Sequence, residues 1–160
     1  MIRPCTKADL NTIREIINEA AEAYRGVIPA DCWHEPYMTR AHLDEEIAAG
    51  VVFRGCEDEG TLVGVMGLQK SRDATLIRHA YVRRSHQGRG IGGTLMSALT
   101  SESDGPLLVG TWAAATWAIR FYERHGFELA TPVETDRLLR LYWTVSPRQR
   151  ETSVVLTRSR

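Results

Sequence analysis

Between Tyr81 and Gly93 an apolar strand pattern, ending Tyr81-Val82, runs into Arg83-Arg84-Ser85-His86-Gln87-Gly88-Arg89-Gly90-Ile91-Gly92-Gly93 and then into a helical pattern. Glycine so dense costs chain entropy and is tolerated where backbone approaches a ligand closely or takes up positive φ. A helix that starts there aims its unpaired N–H groups and the positive end of its dipole into the turn. With Arg83, Arg84 and Arg89 adding fixed charge, the chemistry on offer is the binding of phosphate oxygens.

Three readings compete for this turn. One is a strand-to-helix connection in which glycine allows close packing. Another is a dinucleotide fingerprint, because Gly88, Gly90 and Gly93 satisfy G-x-G-x-x-G and Glu102 and Asp104 lie nearby as ribose ligands. A dinucleotide fold ends its first strand at the first glycine, however, and here Arg83 to Gln87 intervene.

The third reading is a resemblance. Gln87-Gly88-Arg89-Gly90-Ile91-Gly92 is similar to the (Arg/Gln)-x-x-Gly-x-(Gly/Ala) acyl-CoA motif of the GCN5-related N-acetyltransferases, the GNAT family. Downstream, Ala118-Ile119-Arg120-Phe121-Tyr122-Glu123-Arg124-His125-Gly126-Phe127 resembles that family's Ala-x-x-Phe-Tyr-x-x-x-Gly-Phe segment. The two occur in the family's order and at a family-like separation. The resemblance implies an acetyl-CoA-dependent transferase that acetylates a primary amine by direct attack in a ternary complex. It also implies that the strand before the glycine turn and the strand after it splay to admit the pantetheine arm.

The resemblance assigns roles residue by residue. The N–H groups from Gln87 through Gly93 would hold the pyrophosphate. The backbone around Ala80, Tyr81 and Val82, where family members bulge the strand, would meet the thioester, with the Val82 N–H as oxyanion donor. Tyr122 would protonate the departing thiolate. A phenol at ~10 is a weaker acid than a thiol at ~8.5, a difference of roughly 2 kcal/mol in water, so Tyr122 must act through short-range geometry or be acidified by its site.

Two positions depart from the family pattern. Ala115 stands where many relatives carry asparagine, and Ala74 to Val82 contains no carboxylate base. His79 is the one titratable base candidate on that strand. Asp31, His34 and Glu35, in a loop from Gly26 to Tyr37 that resembles in position the family's acceptor-recognition region, could bind or deprotonate a cationic amine. These departures motivate an alternative, a CoA-sensing or protein-binding module on the same fold.

Composition sets the outer bounds. The chain has 160 residues, 43% hydrophobic and 25% charged, which fits one globular domain over 1–160 with a real core. A formal net charge of +0 indicates neither a nucleic-acid nor a membrane partner. Met1-Ile2-Arg3-Pro4 leads straight into a folded pattern without a secretory signal. Cys5, Cys32 and Cys56 are widely spaced and read as reduced thiols of a cytoplasmic protein. No histidine spacing suits a metal.

The elements that must position these residues follow from periodicity. A helix opens at the box Thr6-Lys7-Ala8-Asp9 and runs to about Tyr24, with Ile13, Ile16 and Ile17 inward. A second starts near Thr39, uses Leu43 and Ile47, and stops at Gly50. Strands at Val51–Glu57, Thr61–Lys70 and Ala74–Val82 lead to the turn, and a helix striped by Ile91, Leu95 and Leu99 leaves it. A strand at Leu107–Thr111, a helix around Trp117 and Phe121, and a strand at Phe127–Ala130 follow. Thr131-Pro132-Val133-Glu134 then opens a helix to about Val145, and Thr152–Thr157 is the last strand. The fold class is mixed α/β, a central mixed sheet of about seven strands flanked by helices. Trp143 and the apolar last strand suggest a homodimer contact.

Overall fold

A computed structural model describes residues 1–159. Its strands are β1 (Ile2–Pro4), β2 (Val52–Asp58), β3 (Thr61–Ser71), β4 (Ala74–Val82), β5 (Leu107–Trp112), β6 (Glu128–Leu129) and β7 (Ser153–Arg158). The helices are α1 (Leu10–Ala21), α2 (Arg40–Ala48), α3 (Ile91–Glu102), α4 (Thr116–Arg124), α5 (Pro132–Tyr142) and α6 (Pro147–Glu151). The strands form one sheet in the order β1-β2-β3-β4-β5-β7-β6. Only β4 and β5 run parallel, so the sheet is mixed.

Side-chain alternation divides the core between two faces. Met66, Ile77, Val109 and Leu156 pack under Leu95, Met96 and Leu99 of α3 and Tyr122 of α4. Their neighbours point the other way: Val65 meets Ile13, Ile16 and Ile17 of α1 and Leu43 of α2, while Leu76, Leu108 and Val155 meet Leu138 and Leu139 of α5. On that second face the clusters of α1–α2 and of α5 are separate, which leaves a trough between them.

The predicted β2–β3 turn forms with Glu59 (φ 51°) and Gly60 (φ 79°) both left-handed, as a tight hairpin needs. The Thr6 box also forms, Asp9 accepting from the Thr6 N–H at 2.7 Å, but its first turn, Lys7–Asp9, is a 3-10 turn ahead of α1. Glu22–Tyr24 closes the helical run as a second 3-10 turn. Ile47 is turned outward, whereas Leu43 is fully buried.

The stretch after α5 departs from expectation. The helix predicted to reach Val145 ends at Tyr142, where Trp143 turns extended (φ −117°, ψ 158°) and lays its indole over Gly110. A further helix, α6, follows because Ser146 caps it through the Gln149 N–H at 3.1 Å with Pro147 at its first position. The last strand lies between β5 and the two-residue β6, and the half-buried Trp143 packs its indole over Gly110. No helix among the described residues is long and apolar enough to cross a membrane.

Candidate active site

The pairing of β4 with β5 covers only Thr75–Ile77 against Leu107–Val109. Beyond it the strands part, and a β-bulge explains why. Gly67 pairs with Arg78 and Val65 with Tyr81, so His79 and Ala80 together oppose the single residue Met66. His79 takes φ 55°, a left-handed conformation that a histidine adopts only when its surroundings hold it. The bulge sits two to three residues before Val82 and bends β4 away from β5.

What holds His79 is Glu46 on α2. The Glu46 carboxylate lies 2.7 Å from His79 Nε2 and 2.7 Å from Arg78 Nη2, and 3.6 Å from His42 Nε2. Arg78 and His79 therefore point to the same face, as the bulge requires, and Phe53 stacks on the imidazole. Burial first, and then His42, Arg78 and His79, act on Glu46; the partners outweigh burial and hold its carboxyl far below the usual range. Burial lowers His79, so its ring is neutral at pH 7. An ionised carboxylate only accepts, so the Nε2 carries the hydrogen and Nδ1 the lone pair.

The bulge also aims the strand's end. The Arg83 N–H donates to Val63 O at 2.8 Å, so by antiparallel alternation the Val82 N–H points away from β3, into the gap beside β5. The Val82 carbonyl, on that side too, accepts from Gln87 Nε2 at 3.0 Å. A cavity of about 680 Å³ occupies the gap and the trough, lined by Ala80, Tyr81, Val82, Gln87, Gly92 and Tyr122 among others.

At the mouth of the gap the turn glycines divide into two kinds. Gly88 (φ 78°) and Gly90 (φ 79°) hold left-handed backbone, with open space where a Cβ would stand. Gly92 and Gly93 admit α4: a Cβ at Gly92 would lie 3.1 Å from the Phe121 ring, and one at Gly93 3.1 Å from His125 Nε2. The first bond of α3 is donated by the Thr94 N–H to Gly90 O. The N–H groups of Gly88, Arg89, Gly90, Ile91, Gly92 and Gly93 thus have no acceptor among the described residues. The close-packing reading thus holds at Gly92 and Gly93, while the backbone at Gly88 and Gly90 stays open.

Of the arginines, Arg83 turns away to Glu15 and Glu19 on α1. Arg84 and Arg89 remain exposed, without an ion-pair partner among the described residues, as do Arg120 and Arg124 of α4. Unpaired donors, open space at two glycines and unpaired cations beside a gap fit the pyrophosphate and pantetheine of coenzyme A.

Tyr122 lies on α4, buried against Phe121 and Phe127, and lines the cavity. Burial, with Tyr24 adding to it, pushes its phenol above its ordinary value, so the site does not acidify it. Ala115, at the N-cap of α4, is fully buried against Ala21 and Tyr24 and brings no polar side chain to the gap.

The loop residues do not join the cavity. Asp31 is held by Arg148 at 2.9 and 3.1 Å, Glu35 by Arg25 at 2.5 Å, and His34 is exposed. The trough is instead walled by Tyr24, Tyr37, Tyr81, Trp112, Trp117 and Trp143. The sequence reading takes Tyr81 only as backbone beside the thioester and gives Tyr24, Tyr37 and Trp112 no site role, although alternation from Leu108 through Gly110 places Trp112 on the same face. Cys32 is a buried packing residue beside them, and no metal-holding cluster occurs among the described residues.

A family model described as an acetyltransferase (GNAT) domain matches residues 49–129, just over half of the chain, from the start of β2 through β6. The chain belongs to the GNAT acetyltransferase family. It is similar in fold to the PaiA N-acetyltransferase of Thermoplasma acidophilum in complex with coenzyme A: TM-score 0.73, 17% identity, over 100% of this chain and 98% of that one. The ribosomal-protein-alanine N-acetyltransferase of Brucella melitensis gives a TM-score of 0.69 at 22% identity, over 100% and 99%. The N-acetylglutamate synthase of Neisseria gonorrhoeae, complexed with coenzyme A and N-acetyl-glutamate, gives 0.67 at 22% identity, over 99% of this chain and 34% of that one. No curated protein matches the chain in sequence.

Proposed function

We infer that this protein transfers the acetyl group of acetyl-CoA to a primary amine, both substrates being bound when the amine attacks. The observation that carries this is the gap between β4 and β5. The Val82 N–H points into it, unpaired N–H groups line its mouth, and Tyr122 stands on its wall.

The chain's residues divide the work. The turn from Gly88 to Gly93 binds the pyrophosphate through backbone N–H groups, the Gln87 N–H being held by Arg84 O, with Arg84 and Arg89 adding charge. Ala80, Tyr81 and Val82 border the thioester, and the Val82 N–H donates to its oxygen as negative charge grows there, a contribution that a water-poor gap enlarges. The amine enters by the trough. His79, held through Nε2 by Glu46, takes one proton from the ammonium at Nδ1, leaving a lone pair to form the C–N bond.

As the C–S bond breaks, the departing sulfur takes the Tyr122 proton. Burial raises Tyr122, but it penalises a bare thiolate in the same gap, so the transfer accompanies bond breaking. The second proton of the amine nitrogen restores Tyr122. The products are the N-acetylated amine and the free thiol of coenzyme A, with one proton released when the acceptor enters as ammonium.

Neither departure from the family pattern weighs against turnover. Ala115 is buried packing against Ala21 and Tyr24, and Glu46 with His79 provides the carboxylate-backed base that β4 itself lacks. The test is acetyl transfer from acetyl-CoA to a mixed set of primary amines, followed by mass spectrometry, with Tyr122→Phe as the control. Acetylated amine that falls sharply in the variant supports the reading. Acetyl-CoA bound but never turned over would favour the non-catalytic module.

A further inference from the structure

The cavity wall where the acceptor enters contains no aspartate or glutamate among the described residues. Its charged lining residues are cations, Arg78 and Arg124, beside His79. The nearby carboxylates are all engaged: Glu46 by Arg78 and His79, Asp31 by Arg148, and Glu22 and Glu35 by Arg25. A polyamine, an aminoglycoside or a lysine-rich peptide brings further ammonium groups, and this wall offers them no anion.

The wall does offer rings. Trp117 stacks on Tyr24 with centroids 6.0 Å apart and planes 26° apart, and Tyr37 tilts against Tyr24 at 5.5 Å. Trp112 is locked in place, its Nε1 donating to the Tyr37 hydroxyl at 2.8 Å, and the Tyr24 and Tyr81 hydroxyls lie 3.4 Å apart. The polar ends of these rings thus bind one another and leave ring faces and edges to the cavity. Across the trough Trp143 lies over Gly110, where the nearest indole atom is 3.5 Å from a Cβ position. Burial holds Tyr24, Tyr37 and Tyr81 neutral.

We propose that the trough between α1–α2 and α5 selects a small primary amine with a single ammonium group and an aromatic body. The inference rests on the transferase reading above and names its acceptor. The ring of the acceptor packs among Tyr24, Tyr37, Trp112 and Trp143 and its amine reaches His79 at the bulge.

The test compares 2-phenylethylamine and tryptamine with spermidine, kanamycin and a lysine-rich peptide, using full-length protein and acetyl-CoA. The expected kcat/KM favours the arylalkylamines by roughly 100-fold. A preference for spermidine, kanamycin or the peptide would overturn the inference and leave the transferase reading intact. Calorimetry of 2-phenylethylamine into the protein saturated with coenzyme A separates the two failures. Binding without turnover of any amine retains the acceptor class and refutes transfer, whereas no binding refutes the class. Trp117→Glu, at a residue 42% exposed, adds a carboxylate at the rim, with circular dichroism as the check that the variant is folded. It is expected to narrow the ratio of 2-phenylethylamine to spermidine by about tenfold, and an unchanged ratio would count against the charge argument.

Discussion

His79 Nε2 and Glu46 Oε1 lie 2.7 Å apart, joining a left-handed residue at the β4 bulge to the covering helix α2. Through this contact the conformation of the strand beside the gap depends on a side chain more than thirty residues away in sequence. The same pair fixes the histidine's tautomer and leaves the lone pair on Nδ1.

This arrangement predicts the acid limb of turnover. Burial and Arg78 lower His79 and Glu46 raises it, with burial dominant. At saturating amine, kcat should fall on acidification with an apparent pKa below the ordinary ~6.5 of histidine. Glu46→Gln removes a carboxylate that favours the imidazolium, so the limb should move further toward acid. A limb that stays in place in Glu46→Gln would exclude His79 as the titrating group.

Tyr122→Phe removes one hydroxyl that has no hydrogen-bond partner among the described residues. Stability should change by less than about 0.5 kcal/mol. Acetyl-CoA affinity should hold, while kcat falls by about 10²–10⁴, the range of a general acid. Equal losses of affinity and rate would assign the residue to binding instead.

The glycine turn predicts two separable phenotypes. Gly92→Val drives a side chain into the Phe121 ring and should cost about 1–3 kcal/mol in urea unfolding. Gly88→Ala meets open space but forces φ 78° on an L-residue, at a cost of about 1–2 kcal/mol, and should chiefly weaken acetyl-CoA binding. Identical effects on stability and affinity in the two variants would contradict the division.

Asp9 offers a stability test remote from the site. Its bidentate bond with Arg3 leads the causes that hold its carboxyl down at about 2. The folded value lies below the unfolded ~3.9, so the stabilisation is present above pH 4 and is lost as pH falls toward 2. Asp9→Asn should lower stability at pH 7 by about 1–2 kcal/mol and flatten the slope between pH 4 and 2. An unaltered slope would assign acid unfolding to other carboxylates.

The cysteines predict a quiet background for thiol assays. Burial pushes the Cys5 thiol up to about 11, and Cys32 and Cys56 are buried. Native protein at pH 8 should react with a disulfide reagent far more slowly than urea-unfolded protein; rapid labelling would show that Cys5 is accessible as thiolate.

Much of this architecture was legible along the chain because its signals are local. Alternation marked β2 to β4, and Thr131-Pro132 marked the start of α5. The glycine turn and the Ala118–Phe127 segment pointed to the family that the match over 49–129 shows. What escaped was set by contacts between distant residues. Ser146-Pro147 was a readable start signal, but the extended Trp143 before it is explained by Gly110 on β5. Asp31 and Glu35 looked free until folding brought Arg148 and Arg25 to them. The aromatic trough draws on the 3-10 turn after α1, the loop that follows, β4, β5, α4 and the residue after α5, and no spacing along the chain encodes that meeting.

The central claim is that the gap between β4 and β5 binds acetyl-CoA, and titration by isothermal calorimetry tests it most directly. The expected result is a single saturable site with a Kd of about 1–10 μM, weakened by Gly88→Ala and retained by Tyr122→Phe. No heat of binding, from protein shown by circular dichroism to be folded, would contradict the account.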